Sequence, residues 1–407
     1  MPSNFRKMNI LFAADVSIAS VVGGAERVLF EQSTRLARRG HSVHVLTRRL
    51  PSHASDRETI SLVPEWRYAV DLQSPLSYFA ATLKNARACY EDLQKTWNFD
   101  FINSHQPFTS YAVLRSPAAR NVKKIYTCHS LSFEEFKTRN TEPQRLTGKL
   151  FYLLNLSLRR YMESRSLNES DLIVVLSRFT HDKLINAYGV NGDKIRIIPG
   201  GADLDKFHPA ENRGNIRTDL KIPQNRIVLL TVRNLVSRMG LENLVTAMKA
   251  VAHKVPEAYL VLAGKGPLKN DLMNLTEMLG LEGHISFVGF IPEESLSDYY
   301  SMADLFILPT RELEGFGLVT VEALASGTPV LGTPVGGTLE ILEAFEPGWL
   351  FRDTRPESIA ELIIEKCLKI RKEPGWRDRI GIRCREFAET KYSWEKNVDS
   401  FESLLQD

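Results

Sequence analysis

Short apolar runs rich in Val, Ile and Leu, each followed by a longer amphipathic stretch, recur along the chain, and this alternation limits the fold more than any other feature. Runs so brief, bounded by Gly, Pro or polar residues, read as strands of a parallel sheet buried on both faces, with crossover helices between them. The pattern occurs twice. The first set is Asn9 to Ala13, Ser42 to Leu46, Phe99 to Asn103, Lys124 to Tyr126, Leu172 to Leu176 and Ile195 to Ile198. The second is Ile227 to Val232, Tyr259 to Ala263, Ile285 to Val288, Leu305 to Leu308 and Pro329 to Gly332. Each set predicts one doubly wound α/β domain, and 407 residues are enough for two.

The stretch Pro199 to Asn225 is rich in Gly, Pro, Asn and charge without a sustained apolar period, and it marks the domain boundary. The expected domains are 1–205 and 206–389. The tail from Pro356 reads as helices, with Trp394, Val398, Phe401 and Leu404 at helical spacing, so that a final helix over 390–407 is expected to pack back on the first domain. Two sheets of this kind predict a ligand in a central cleft facing their carboxyl edges.

Other classes are excluded by charge and cysteine usage. With 52 basic and 49 acidic residues the net charge is +3, too small for a whole-molecule field that would favour nucleic acid. Cys89, Cys128, Cys367 and Cys384 form no metal-binding or disulfide pattern, which points to a reducing cytoplasm. The basic start of the chain leads into a short apolar run without a cleavage site, and no run approaches the ~18 apolar residues of a membrane span. Any membrane contact is then peripheral, at the inner face. The segment from Lys137 to Arg165 interleaves seven Lys and Arg residues with Leu150, Phe151, Tyr152, Leu153 and Leu154. It fits a helix lying on anionic lipid, and equally a crossover helix with a buried stripe.

Chemistry concentrates between Pro309 and Leu342, in PTRELEGFGLVTVEALASGTPVLGTPVGGTLEIL. Glu314 and Glu322 stand eight positions apart across a Gly315-Phe316-Gly317 turn that enters a helix. Glycines just before a helix let backbone N–H groups face an anion at its positive end, and a diphosphate suits that place.

The run E-G-F-G-L-V-T-V-E, followed by A-S-G-T-P-V and G-G-T-L-E, resembles the retaining GT-B glycosyltransferases of family 4. The resemblance extends to G-G-A-E-R at Gly23 to Arg27, I-P-G-G-A-D at Ile198 to Asp203, G-K-G-P at Gly264 to Pro267 and G-F-I-P at Gly289 to Pro292. It implies a GT-B fold and transfer of a hexose or N-acetylhexosamine from a nucleotide-diphosphate sugar, UDP-linked in the first instance and GDP-mannose next. The acceptor it implies is a glycan, a lipid-linked molecule or a small hydroxyl compound.

By the same resemblance Glu314 accepts hydrogen bonds from the donor sugar, Glu322 holds the ribose, and the amides around Gly317, Leu318 and Val319 hold phosphate. Gly264, Phe290, Ile291, Gly315 and Phe316 complete the donor site, with Gly23 and Gly24 over the phosphates. Glu26 reads as a first-turn helix residue and not as an acid catalyst. His129 corresponds to a histidine near the reacting sugar, and His105 is a second candidate for contact with the acceptor.

A leaving nucleoside diphosphate needs positive charge, and Arg233 and Arg238 follow the first strand of the second domain. The family pattern has Arg-Lys before the glycine, whereas this chain reads Arg238-Met239-Gly240. Asp203-Leu204-Asp205 resembles a metal-binding D-x-D but falls in the linker, so neither metal nor cofactor is expected. Two alternatives stay open: a nucleotide-sugar epimerase, and a catalytically weakened nucleotide-sugar-binding protein. A dinucleotide oxidoreductase fits less well, because G-K-G-P lacks the G-x-G-x-x-G arrangement.

Overall fold

The computed structural model describes residues 6–21, 23–140 and 142–406; the first five residues, Val22 beside the Gly23-Gly24 pair, Thr141 in the basic segment and Asp407 lie outside the described residues. The chain divides into two compact units, Met1–Pro199 with Asn397–Asp407, and Gly200–Lys396.

The first unit contains β1 (Asn9–Ala14), β2 (Ser42–Arg48), β3 (Arg57–Ile60), β4 (Val63–Tyr68), β5 (Phe101–His105), β6 (Lys123–Cys128), β7 (Leu172–Val175) and β8 (Ile195–Ile197). They form one sheet in the order β3-β4-β2-β1-β5-β6-β7-β8, parallel except where β3 runs antiparallel to β4. Alternate residues of β1 serve opposite faces. Ile10 and Phe12 pack with Leu29, Leu36 and Phe401, while Leu11 and Ala13 pack with Ala86, Tyr90 and Val113. Each such side chain contributes roughly 1.5–3 kcal/mol by leaving water, which explains why the central strands are apolar throughout. Val398, Phe401 and Leu405 of the helix Trp394–Gln406 belong to this core, with Leu404 packed against it.

The β3-β4 hairpin was not apparent from the apolar runs. Its inner face carries an ion pair: Arg67 Nε donates to Glu65 at 2.7 Å, both side chains being fully buried. Glu65 also accepts from Ser17 Oγ and from the Ile18 amide. Charge in VPEWRY conceals an interior strand, paired with β2 on one side and β3 on the other, whose polar side chains pair internally.

The second unit contains β9 (Ile227–Val232), β10 (Ala258–Ala263), β11 (Ile285–Gly289), β12 (Leu305–Leu308) and β13 (Val330–Gly332), all parallel, in the order β11-β10-β9-β12-β13. The stretch read as linker is more ordered than its composition suggests. Gly201 lies so close to Trp394 that a Cβ would stand 2.4 Å from its amide nitrogen, and residues Arg213–Asp219 form a helix whose Arg217 donates to Asp304. Its apolar period is weak because arginine, not leucine, anchors it.

In both sheets the strand order reverses beside the first strand, between β1 and β5 and between β9 and β12. Loops that leave the carboxyl ends of such neighbours diverge and open a crevice, the usual ligand position in doubly wound sheets.

Candidate active site

In the second unit the two loops at the reversal are those after β9 and β12. Arg233 follows β9 directly, and its Nη2 donates to the Glu314 carboxylate and, at 3.1 Å, to Thr310 Oγ1. Thr310 Oγ1 in turn donates to Glu314 at 3.2 Å. Both charged residues are buried, at 9% and 8% exposure, so they are held as a pair in little water. The Met239 sulfur lies 2.8 Å from Arg233 Nη2 and is itself buried. Where the family pattern has lysine, this chain therefore places a thioether against the guanidinium.

Arg238 Nη1 donates to the Leu313 carbonyl at 2.9 Å, and its own carbonyl accepts from the amides of Arg311 and Glu312. Leu313 has φ +58°, a left-handed conformation that a branched residue adopts only at a cost of order 1–3 kcal/mol. Arg238 thus braces a strained turn immediately before Glu314.

The glycines of the motif let these loops interlock. A Cβ on Gly264, after β10, would stand 1.7 Å from the Arg233 carbonyl oxygen, and one on Gly336, after β13, would stand 1.9 Å from that of Glu314. Only residues without a side chain allow the backbones to approach this closely. The Gly337 amide then donates to the Glu314 carbonyl at 2.9 Å. Gly317 caps the helix Leu318–Ala325 in the left-handed conformation, flanked by Thr320 and Thr338 hydroxyls. The Thr320 amide donates to the Gly317 carbonyl at 2.9 Å, and the amides of Leu318 and Val319 ahead of it, which have no helical carbonyl one turn back, form a positive end suited to an anion.

Other residues named from the sequence are distributed around this turn. Glu322 is buried in the same helix and accepts from Tyr300 Oη at 3.0 Å. Phe316 is buried against Tyr392 and contributes its backbone to the turn, whereas Gly315, Leu318 and Val319 are half-buried. Phe290 is exposed at 46%, with Lys265 Nζ 4.6 Å from its ring centre, while Ile291 beside it is buried.

In the first unit the loops after β1 and β5 flank the reversal, and β6 lies next. Gly23 caps the helix Gly24–Arg38, and Glu26 folds back toward it, its carboxyl raised above the ordinary range by burial. His129 follows β6, and its Nε2 lies 2.9 Å from Nδ1 of His105, the last residue of β5. Burial holds His129 down to about 4 and His105 well below the usual range, so the pair is neutral near pH 7. The other nitrogen of His105, Nε2, is buried without a partner. Gln106 beyond it has φ +62°, and its side chain accepts the Asp15 amide at 3.0 Å.

Sequence reasoning missed Thr310, Tyr300 and Asp15. Asp15 is buried at the start of the helix Pro107–Leu114 and accepts from the Phe108 and Thr109 amides and from Thr109 Oγ1. Its position directly after the first strand was the available signal. Asp203 accepts from the Asp205 and Lys206 amides in a local turn, and among the described residues no group of three or more His, Cys, Asp or Glu side chains could hold a metal.

Comparison with known proteins agrees with this architecture. Residues 22–206 match the model of Glycosyltransferase Family 4, and residues 212–375 that of Glycosyl transferases group 1. The chain is 26% identical over 377 residues to mannosylfructose-phosphate synthase of Agrobacterium fabrum, covering 89% of this chain and 82% of that one. It is 26% identical over 403 residues to D-inositol 3-phosphate glycosyltransferase of Gordonia bronchialis, covering 93% and 82%. Among solved structures, sucrose-phosphate synthase of Thermosynechococcus elongatus superposes with TM-score 0.80 at 24% identity over 98% of each chain. Anabaena Alr3699/HepE in complex with UDP-glucose superposes with TM-score 0.76 at 20% identity, over 98% of this chain and 99% of that one. The doubled sheet, the interlocked glycine loops and these matches together make the chain a GT-B glycosyltransferase of family 4.

Proposed function

We propose that this glycosyltransferase moves a hexose or N-acetylhexosamine, with retention and without a metal, from a UDP-sugar, or else from GDP-mannose, to a glycan or lipid-linked acceptor. The observation that carries the reading is the buried Arg233–Glu314 pair, set beside a glycine-capped helix start at the strand-order reversal.

In this reading the diphosphate lies against the amides of Gly317, Leu318 and Val319, with Arg233 and Arg238 stabilising the charge that develops as the glycosidic bond breaks. Phosphate draws Arg233 toward it, and Glu314 becomes available to accept hydroxyls of the sugar. Glu322, oriented by Tyr300, takes the ribose, and Gly264, Phe290 and Ile291 take the base. His129 directs a sugar hydroxyl through Nδ1, the ring nitrogen outside its bond to His105, so His105 acts as a positioning residue. Gly23 and Gly24 lie over the phosphates.

Neither carboxylate of the motif is left for a nucleophile's part, because in this reading Glu314 accepts from the sugar hydroxyls and Glu322, bonded to Tyr300, takes the ribose. Front-face substitution follows, in which the leaving phosphate takes the proton of the incoming hydroxyl, in place of the double displacement of retaining glycosidases. The protein works in the cytoplasm at the inner face of the membrane. Among the described residues no helix is long and apolar enough to cross a bilayer.

A thermal-shift panel of UDP, GDP, ADP and their sugars tests the donor assignment. A diphosphate at a hundred times its Kd stabilises the folded state by about 2.7 kcal/mol, with UDP expected to act most strongly. A panel in which no nucleoside diphosphate moves the transition contradicts the site.

A further inference from the structure

The helix Leu146–Glu169 has two apolar faces. One is buried and includes Tyr152, Met162 and Leu167. The other faces water: Leu146 is 84% exposed, Leu150 69%, Leu153 46%, Leu154 45% and Tyr161 52%, with Phe151 beside them at 58%. Leu146, Leu150, Leu153, Leu154, Ser157 and Tyr161 recur at spacings of three and four, which puts them in one stripe along the helix. The buried face accounts for a crossover helix. It leaves this second stripe unexplained, and soluble proteins seldom expose so many large apolar side chains together without a use.

Charge identifies what covers the stripe. At about 100° per residue, Arg145, Lys149 and Arg160 fall along one edge of it. Residues 137–165 carry seven Lys and Arg against two Glu, and one of the two, Glu163, is buried. Lys149 pairs with Glu142 and Arg139 with Glu135, but such exposed pairs hold their partners weakly and yield to a denser anionic surface. A second copy of the chain is a poor occupant, because an isologous contact would set one basic edge against the other.

We propose that the exposed stripe of Leu146–Glu169 is a docking surface for an anionic lipid bilayer, with the helix lying in the interface plane. Its leucines enter the boundary between headgroups and acyl chains while Arg145, Lys149 and Arg160 reach acidic headgroups. The inference rests on the peripheral placement proposed above and names the surface responsible for it.

The test is sedimentation of the full chain with vesicles of phosphatidylcholine alone and of phosphatidylcholine with phosphatidylglycerol. The expected result is binding to the second kind that weakens as salt is raised. L150S/L154S lowers that binding at least about tenfold by removing buried methyl groups, and R145E/K149E lowers it too. These side chains are exposed, so both variants keep the wild-type melting temperature. Wild type that ignores anionic vesicles, or L150S/L154S that binds as wild type does, overturns the proposal. So does a wild-type dimer in sedimentation velocity that the same variant dissolves. Donor turnover is measured in parallel without vesicles: its absence alongside intact vesicle binding counts against the transfer reading and leaves the docking surface standing.

Discussion

Arg233 and Glu314 bring opposite charges into one buried corner, and neither can be removed without leaving the other unpaired. Truncating one member of such a pair costs stability as well as chemistry, which makes Glu314→Gln a better probe than alanine. Glutamine keeps the volume and one acceptor for Arg233 but removes the charge that orders the sugar, so kcat should fall by about 10²-fold or more while the melting temperature falls less than in the alanine variant. Wild-type turnover in the folded variant would remove Glu314 from the site. At Arg238 the expectation is a loss of at least about tenfold in kcat/KM for the alanine variant, since a charge-assisted bond to phosphate is worth about 1.5–3 kcal/mol. Met239→Lys in that background should recover part of the loss, because Met239 already reaches Arg233, and alone it should change little. A double-mutant cycle on transfer rate reads the coupling; a normal Arg238→Ala rate, with a sharp gain from Met239→Lys alone, would make Arg238 a bystander. The motif made Glu314 and Glu322 legible because their glycine context has a physical meaning. Thr310 and Tyr300 were not legible, since a hydroxyl that orients a carboxylate leaves no pattern in the sequence.

At the scale of elements, the apolar central strands were readable in advance, as was the tail helix with Trp394, Val398 and Phe401. The β3-β4 hairpin was hidden by its Glu65–Arg67 pair, and the stretch after Pro199 by anchors that are arginine and glycine. The two-faced helix Leu146–Glu169 was ambiguous for a similar reason, because it is apolar on opposite sides. Its Glu163 shows how one carboxyl ties elements together. Glu163 accepts from Tyr188 Oη, from the Ser132 amide that opens the helix Ser132–Arg139, and from Tyr126 Oη of β6. Burial raises it to about 7. An acid with a raised folded pKa stays neutral in the fold while the unfolded chain has ionised, so it costs stability progressively as pH rises from about 4.3 to 7. Glu163→Gln removes that cost, and its melting temperature should gain on wild type through this window and level off above it. His105 and His129 contribute in the opposite sense, losing stability as pH falls from about 6.5, but they are present in both proteins and cancel in the difference. A gap that does not change with pH would mean that Glu163 is ionised in the fold throughout.

For the molecule as a whole, the twice-wound sheet and the glycine loops at its reversals make nucleotide-sugar chemistry expected, and the family matches agree. The central claim is that protein cations and a glycine-capped helix, with no metal and no glycosyl-enzyme, move the sugar with its anomeric configuration kept. Nuclear magnetic resonance of the first product released from a UDP-α-hexose or GDP-α-mannose, onto added acceptor or slowly onto water, tests this directly when run in excess EDTA. The account predicts the α anomer at a rate that EDTA leaves unchanged. A β product, or activity abolished by EDTA and restored by Mn²⁺ or Mg²⁺, would contradict it.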